Sequence, residues 1–402
     1  MIMSTETRLQ VTKRCLFALG LGSCLAVQAV TPPVINSTAM LPRLTITSEA
    51  GVTNQILYST RLKPTNWVEL ARIVVPASGH YMFTDTNAPE QSAVFYRVVA
   101  FTNAPVTNIP PSGGMALIPA GIFTMGDTVD GSTYPHQVNV SAFYMDTNLV
   151  TLTLWQTIYN WATNNGYGFV GSGYGKAANH PVQTINWYDA AKWCNARTDW
   201  ENHMTGSRLA FCYYTDTNRL VPYKTGLVVL ATNNVDWAAT GYRLPTEAEW
   251  EKASKGNVTG HRFPWGGDTV DYSKANFFGN SLAYPYDKTT TPGYSPAYAT
   301  GAFPYTSPAG SFAANGYGLR DMAGNVQEWC WDWYDSVYYY SSPASDPLGP
   351  NSSTERIPAR VLRGGGWSSY AVDLQCAGRW KTKPTDLGYS MGFRSVRAAM
   401  LQ

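Results

Sequence analysis

Short stretches in which apolar and polar residues alternate fill the first quarter of the chain. They are LTIT from Leu44, QILYS from Gln55, WVELARIVV from Trp67, YMFT from Tyr81 and FYRVVAF from Phe95. Turn-forming clusters such as SEAG, PASG and TNAPEQS separate them, so a period of two with Gly, Pro and Asn punctuation predicts strands packed as a small sandwich. No histidine or carboxylate constellation stands out among them. The following NAPVTNIPPSGG, rich in Pro and Gly, reads as a linker.

From Met115 the pattern changes. LTLWQTIYNWA suits a helix with Thr153 as N-cap and Gln156 completing a capping box, and Asn186 with Asp189 repeats the device before YDAAKWCNAR. Thr246 with Glu249 repeats it again before AEWEKASKG, which Gly256 can end. First-turn placement and a solvent-facing surface are a sufficient structural explanation for Glu247, Glu249 and Glu251. A long insert runs between Arg197 and Ala239.

The segment NGYGLRDMAGNVQEWCWDW, Asn315 to Trp333, is the most constrained. Gly316, Gly318 and Gly324 demand unusual backbone, and Trp329, Trp331 and Trp333 alternate as a strand does. Asp321 and Glu328 bracket a Gly-Asn pair, a turn that could aim carboxylates and carbonyls at a hard cation such as calcium. The competing reading is a metal-free turn closed by Asn and Asp side chains.

Composition narrows the function classes. The 402 residues are only 14% charged with a net charge of +2, and Trp and Tyr are plentiful, so no electrostatic case for nucleic acid exists. The length calls for more than one domain. Lys13 and Arg14 precede the apolar run CLFALGLGSCLAVQA, ending in Val27-Gln28-Ala29, the pattern of a signal peptide cleaved after Ala29. A lipoprotein box at Leu21 to Cys24, with Cys24 acylated, is the alternative. No other segment is apolar enough to cross a membrane, which places the mature chain outside the cytoplasm, secreted or periplasmic. The expected organisation is therefore a signal peptide (1–29), a small all-β module (30–108), a linker (109–114) and a main domain (115–400).

Four cysteines lie beyond the leader, Cys194, Cys212, Cys330 and Cys376, and allow three pairings in an oxidising compartment. Zinc on four thiolates lacks any C-x-x-C spacing. The histidines are scattered with no H-x-x-x-H pair, and no phosphate loop or G-x-S-x-G elbow appears.

Four blocks occur in one order: MALIPAGIFTMGD from Met115, GYRLPTEAEWEKASKG from Gly241, the Asn315 segment, and RVLRGGGWSS followed by CAGRW and GFRSVR between Arg360 and Arg397. Together they resemble the formylglycine-generating enzyme (sulfatase-modifying factor) family. The resemblance implies an irregular α+β domain of C-type-lectin-like fold, with a few short helices and a small antiparallel sheet carrying the Trp331 and Leu362 strands. It also implies the disulfides Cys330–Cys376 and Cys194–Cys212.

Enzymes of that family oxidise a sulfatase cysteine to formylglycine with oxygen and a copper ion held by two cysteines. Here those positions fall on Ser369 and Leu374, and Gly366 stands where a serine is usual. A hydroxyl and a leucine do not replace two thiolates, so copper and the oxidase chemistry are expected to be absent. The family's second calcium site falls on Asp321, the carbonyls of Gly324 and Val326, and Glu328, implying structural calcium. The first falls on Asn276 and Phe277, with its acidic ligand at Gly301. The resemblance places a ligand groove near Trp367, Ser369, Tyr370, Arg379 and Trp380. Three functions follow: a non-oxidase module binding a protein, peptide or glycan, a formylglycine-generating oxidase, or a variable ligand-binding display protein.

Overall fold

The computed structural model describes residues 10–11, 15–17, 34–35, 43–47, 53–59, 68–74, 76, 78–85, 94–101, 114–127, 129 and 133–399. Contacts divide the chain into two units, Met1–Asn108 and Ile109–Leu401. Most of the expected leader, including Cys24 and Ala29, lies outside the described residues. No helix among those described is long and apolar enough to cross a membrane.

The first unit consists of two sheets. One has the order β1 (Gln10–Val11), β2 (Cys15–Phe17), β8 (Val94–Phe101), β5 (Thr53–Ser59), β6 (Val68–Val74); the other is β3 (Val34–Ile35), β4 (Arg43–Thr47), β7 (His80–Thr84). Alternation sends Leu44 and Ile46 from one sheet and Ile56, Ile73, Tyr96 and Val98 from the other into one core. Tyr96 satisfies its buried hydroxyl on Asp85, at 3.0 Å. Removing a leader after Ala29 would take β1 and β2 with it and leave β8 as a sheet edge.

Among its described residues the second unit mixes short strands with three α-helices. β9 (Met115–Ile118) and β19 (Val396–Ala398) flank β12 (Phe143–Asp146), joining the start of the domain to its end. β10 (Gly121–Asp127) and β11 (Thr133–Val140) form a hairpin, and β13 (Phe278–Gly279) pairs with β14 (Gly293–Tyr294). The central sheet has the order β17 (Arg379–Thr382), β16 (Arg360–Arg363), β15 (Gln327–Trp333), β18 (Met391–Gly392). Trp331 and Leu362 thus lie on neighbouring antiparallel strands.

β15 is buried along its whole length, and its alternation feeds two cores. Trp329 and Trp331 join the cluster built on α1 (Leu152–Thr163) and α2 (Trp187–Thr205), whereas Cys330 joins the cluster around α3 (Glu247–Lys255). The helix caps follow local rules. Asn186 Oδ1 accepts from the Asp189 N–H, Thr246 and Glu249 form a reciprocal box, and Gly256 ends α3 in the left-handed region. α1 begins two residues earlier than expected: Thr151 is its cap, because the Thr153 hydroxyl bonds to the Ala178 carbonyl instead.

The loop entering β15 depends on close backbone contact. Gly324 has φ of +79°, and a Cβ there would lie 2.4 Å from the Asn276 carbonyl oxygen. Replacing Gly324 with alanine should therefore cost about 2 to 4 kcal/mol, from left-handed strain plus displacement of a buried carbonyl. Urea unfolding of the two proteins measures the difference; a loss below about 0.5 kcal/mol would show that the loop relaxes freely.

Candidate functional site

The segment after β16 turns sharply at Gly364 and Gly365, both left-handed, so that Ser369 and Leu374 end in different surroundings. Ser369 Oγ accepts from the Gly366 N–H at 3.0 Å, and its carbonyl accepts from Phe278 N–H at 2.8 Å. Leu374 is fully buried against a cluster containing Phe263, Phe277 and Ala323. The first serves as a turn clamp and the second as core packing, and neither can ligate copper as a thiolate does.

All four cysteines beyond the leader are free and buried, so the expected bridges Cys330–Cys376 and Cys194–Cys212 are not formed in this structure. Cys330 lies among Asp332, Arg363 and Glu247, whereas Cys376 lies beside Ser254, Lys255 and Glu251. Burial pushes the Cys330 thiol well above its usual range and the Cys376 thiol up to about 12. Cys194 is near enough to Cys212 to feel its charge, but burial raises both, Cys212 to about 12. A thiol so hard to ionise is a poor nucleophile and a poor metal ligand. Among the described residues no three His, Cys, Asp or Glu side chains converge as a metal site.

The residues expected to hold calcium are brought together in sequence but are committed elsewhere. Arg394 reaches the Glu328 carboxylate with two bonds, Nε to Oε2 at 2.7 Å and Nη2 to Oε1 at 3.0 Å. Asp321 Oδ2 accepts from the Gly310 N–H at 2.6 Å, leaving Oδ1 buried without a partner. Only Asp321 thus has an uncommitted carboxylate oxygen, and as arranged the set does not fit a calcium cage. At the other expected site the Asn276 amide donates to the Tyr305 carbonyl, its own carbonyl accepts from Asn325, and Phe277 packs in the core. Gly301 lies exposed, with nothing near its Cβ position.

The expected groove is two places rather than one. Trp367 is buried in an aromatic group with Tyr294, Phe303 and Tyr305, and Tyr370, 42% exposed, packs edge-on to Phe278. Arg379 and Trp380, on β17, instead line a cavity of about 790 Å³. Its other walls include Tyr134, Tyr334, Tyr339, Tyr340 and Asp373, none of which the sequence singled out. Their one advance signal was the run of tyrosines Tyr338 to Tyr340, which has no alternation to assign it.

Beneath that cavity the carboxylates of α3 are buried, not solvent-facing as expected. Glu247 takes both arms of Arg379, at 2.7 and 2.8 Å. Glu251 pairs with Arg363 and with Lys255, and Glu249 with Arg243 at 2.6 and 2.7 Å. Arg379 also lies over the rings of Tyr334 and Tyr339, 4.7 and 4.3 Å from their centroids. Both faces of its charge are therefore spoken for.

Comparison with known proteins agrees with this geometry at the level of fold. The family description "Sulfatase-modifying factor enzyme 1-like domain" matches residues 100–399. The chain is 31% identical over 307 residues to the formylglycine-generating enzyme of Streptomyces coelicolor, covering 72% of this chain and 90% of that protein. It is 40% identical over 167 residues to the serine/threonine-protein kinase pkn1 of Chlamydia caviae, spanning 42% of this chain but only 22% of the kinase. Among solved structures, Treponema denticola variable protein 1 aligns with a TM-score of 0.52 at 28% identity, over 71% of this chain and 95% of that one.

Asp321 yields a pH prediction. Burial pushes its carboxyl up to about 6, against the opposing pull of the Gly310 N–H and Arg394. The folded chain then holds a proton that the unfolded chain, titrating near 4, has already released. Its stabilising contribution is complete below about pH 4 and is lost as pH rises through about 6, roughly 3 kcal/mol in all. Asp321→Asn should remove this dependence, so its stability relative to wild type rises by that amount from pH 4 to 7 in urea unfolding. A constant difference across that range would mean that Asp321 titrates normally.

Proposed function

The chain belongs to the family of the sulfatase-modifying factor enzyme 1-like domain, and from that premise we propose that it is a ligand- or protein-binding member without copper-dependent oxidase activity. The observation that carries this reading is the pair Ser369 and Leu374, a turn clamp and a core residue where the family's chemistry calls for two thiolates. The buried thiols, raised far above neutrality, support it. So does the aromatic cavity beside β17, a concave surface with a few polar groups, as binding sites are.

The competing reading is a formylglycine-generating oxidase acting on a sulfatase. It is favoured by the likeness to the Streptomyces coelicolor enzyme over most of both chains. A display role, with exposed residues such as Tyr370 and Trp380 open to change over a fixed core, draws on the likeness to the Treponema denticola variable protein. Calcium is not needed for the binding reading, since Arg394 already supplies the cation at Glu328. Export, by a cleaved leader or a lipid on Cys24, belongs to the same proposal.

Incubation of the full chain with monovalent copper, oxygen and a cysteine-bearing sulfatase peptide tests the first reading against the second. The expected result is an unchanged peptide mass, no copper retained after gel filtration, and Cys194, Cys212, Cys330 and Cys376 labelling only after denaturation. Stoichiometric copper with an aldehyde in the peptide would establish the oxidase. In the same preparations calcium should leave Tm unchanged; a rise would show that Glu328 exchanges Arg394 for the ion.

A further inference from the structure

The cavity beside β17 has a chemistry more specific than its shape. Three aromatic side chains present open faces to it: Tyr134 on β11, Tyr340 in the helical turn after β15, and Trp380 on β17, with exposures of 49%, 70% and 53%. Tyr134 and Tyr340 stand against each other with ring centroids 4.6 Å apart, making one wall. Asp373 adds a carboxylate from the turn that follows Tyr370.

Charge balance decides what such a cleft admits. Arg379 is the cation in its lining, and it is held by both oxygens of Glu247 and covered by Tyr334 and Tyr339. Among the described residues Asp373 forms no ion pair, and it sits partly desolvated at the end of its turn. Among the described residues the opening therefore combines the Asp373 carboxylate with electron-rich ring faces, and the cation in its lining is already paired. Anionic ligands are disfavoured there, and a cation gains from both features.

We infer that this cleft is a receptor for a cationic side chain, an arginine or lysine of a partner protein or peptide, seated between Trp380 and the Tyr134–Tyr340 wall with its charge on Asp373. The volume of about 790 Å³ accommodates the side chain with flanking backbone, which is the scale of a peptide segment rather than a single ion. Ser369 and Leu374 do not themselves line it, although Asp373 and Gln375, the chain neighbours of Leu374, do, so the cleft opens beside the second of the family's copper positions. The inference rests on the binding reading above and narrows its ligand.

The test uses the full chain and the blocked tripeptide Ac-Gly-Arg-Gly-NH2, followed by tryptophan fluorescence or calorimetry at low ionic strength. Its citrulline counterpart, equal in shape but uncharged, is the control. The arginine peptide should bind at least about tenfold more tightly, and raised salt should erode the difference. Asp373→Asn and Trp380→Phe should each weaken the arginine peptide about tenfold or more while leaving the citrulline peptide unchanged. Equal binding of the two peptides, or binding of the arginine peptide indifferent to both substitutions, overturns the inference. A neutral oligosaccharide that binds in a Trp380-dependent way, with no arginine preference, overturns it too while leaving the binding reading intact. Aldehyde formation on the sulfatase peptide would instead remove the binding reading itself.

Discussion

The buried ionic lattice between α3 and the central sheet is the constraint on which the rest of the second unit depends. Glu247 and Glu251, one turn apart, meet Arg379 and Arg363 on adjacent strands, and both acids and Arg363 are almost wholly shielded from water. Removing such charges from water costs several kcal/mol per ion, recovered only when each is fully paired in good geometry. The helix can consequently sit in only one register on β16 and β17. Lys255 and Lys252 extend the lattice to the β10–β11 hairpin through carbonyls of Gly121, Thr124 and Gly126. Glu251 Oε1 accepts from the Gly126 N–H at 2.6 Å, at a glycine whose Cβ would collide with the Tyr134 carbonyl.

That lattice also shapes the cleft. By fixing Arg379 to Glu247, it neutralises the one cation that the described residues place in the lining and leaves Asp373 to set the local charge. It further holds β11, which carries Tyr134, against the turn that carries Tyr340. A structural interaction thus determines both the walls and the charge of a surface site, although none of its own acids reaches solvent.

A second buried fork, Glu328 with Arg394, stands at the start of β15, opposite Arg363 in the sheet register. Arg394 also donates to the carbonyls of Asp146 and Arg320, so one guanidinium ties the domain's beginning, its glycine loop and its last strands together. Five donors in a planar fork suit this role in a way that a lysine could not. The position of Glu328, expected to face a metal, is explained by that fork.

How much of this was legible depended on distance along the chain. The caps at Asn186, Thr246 and Gly256 could be read because each bond closes within three or four residues, and the alternation at Trp329 to Trp333 marked a strand for the same local reason. The four ordered blocks carried the family and, with it, the α+β fold. What no local pattern could supply was the partner of a charge: Glu251 meets Arg363 112 residues away, and Glu247 meets Arg379 132 away. A carboxylate in a helix's first turn has the same sequence appearance whether it faces water or an arginine, so only the tertiary packing made these two acids interior. Likewise Trp367 and Trp380 are close in the chain, yet the turn at Gly364 and Gly365 and the strand that follows send one into the core and the other into a cleft. Local hydrogen bonds and periodicity settled the elements; the long-range pairing of buried charge settled which faces met and where the site opened.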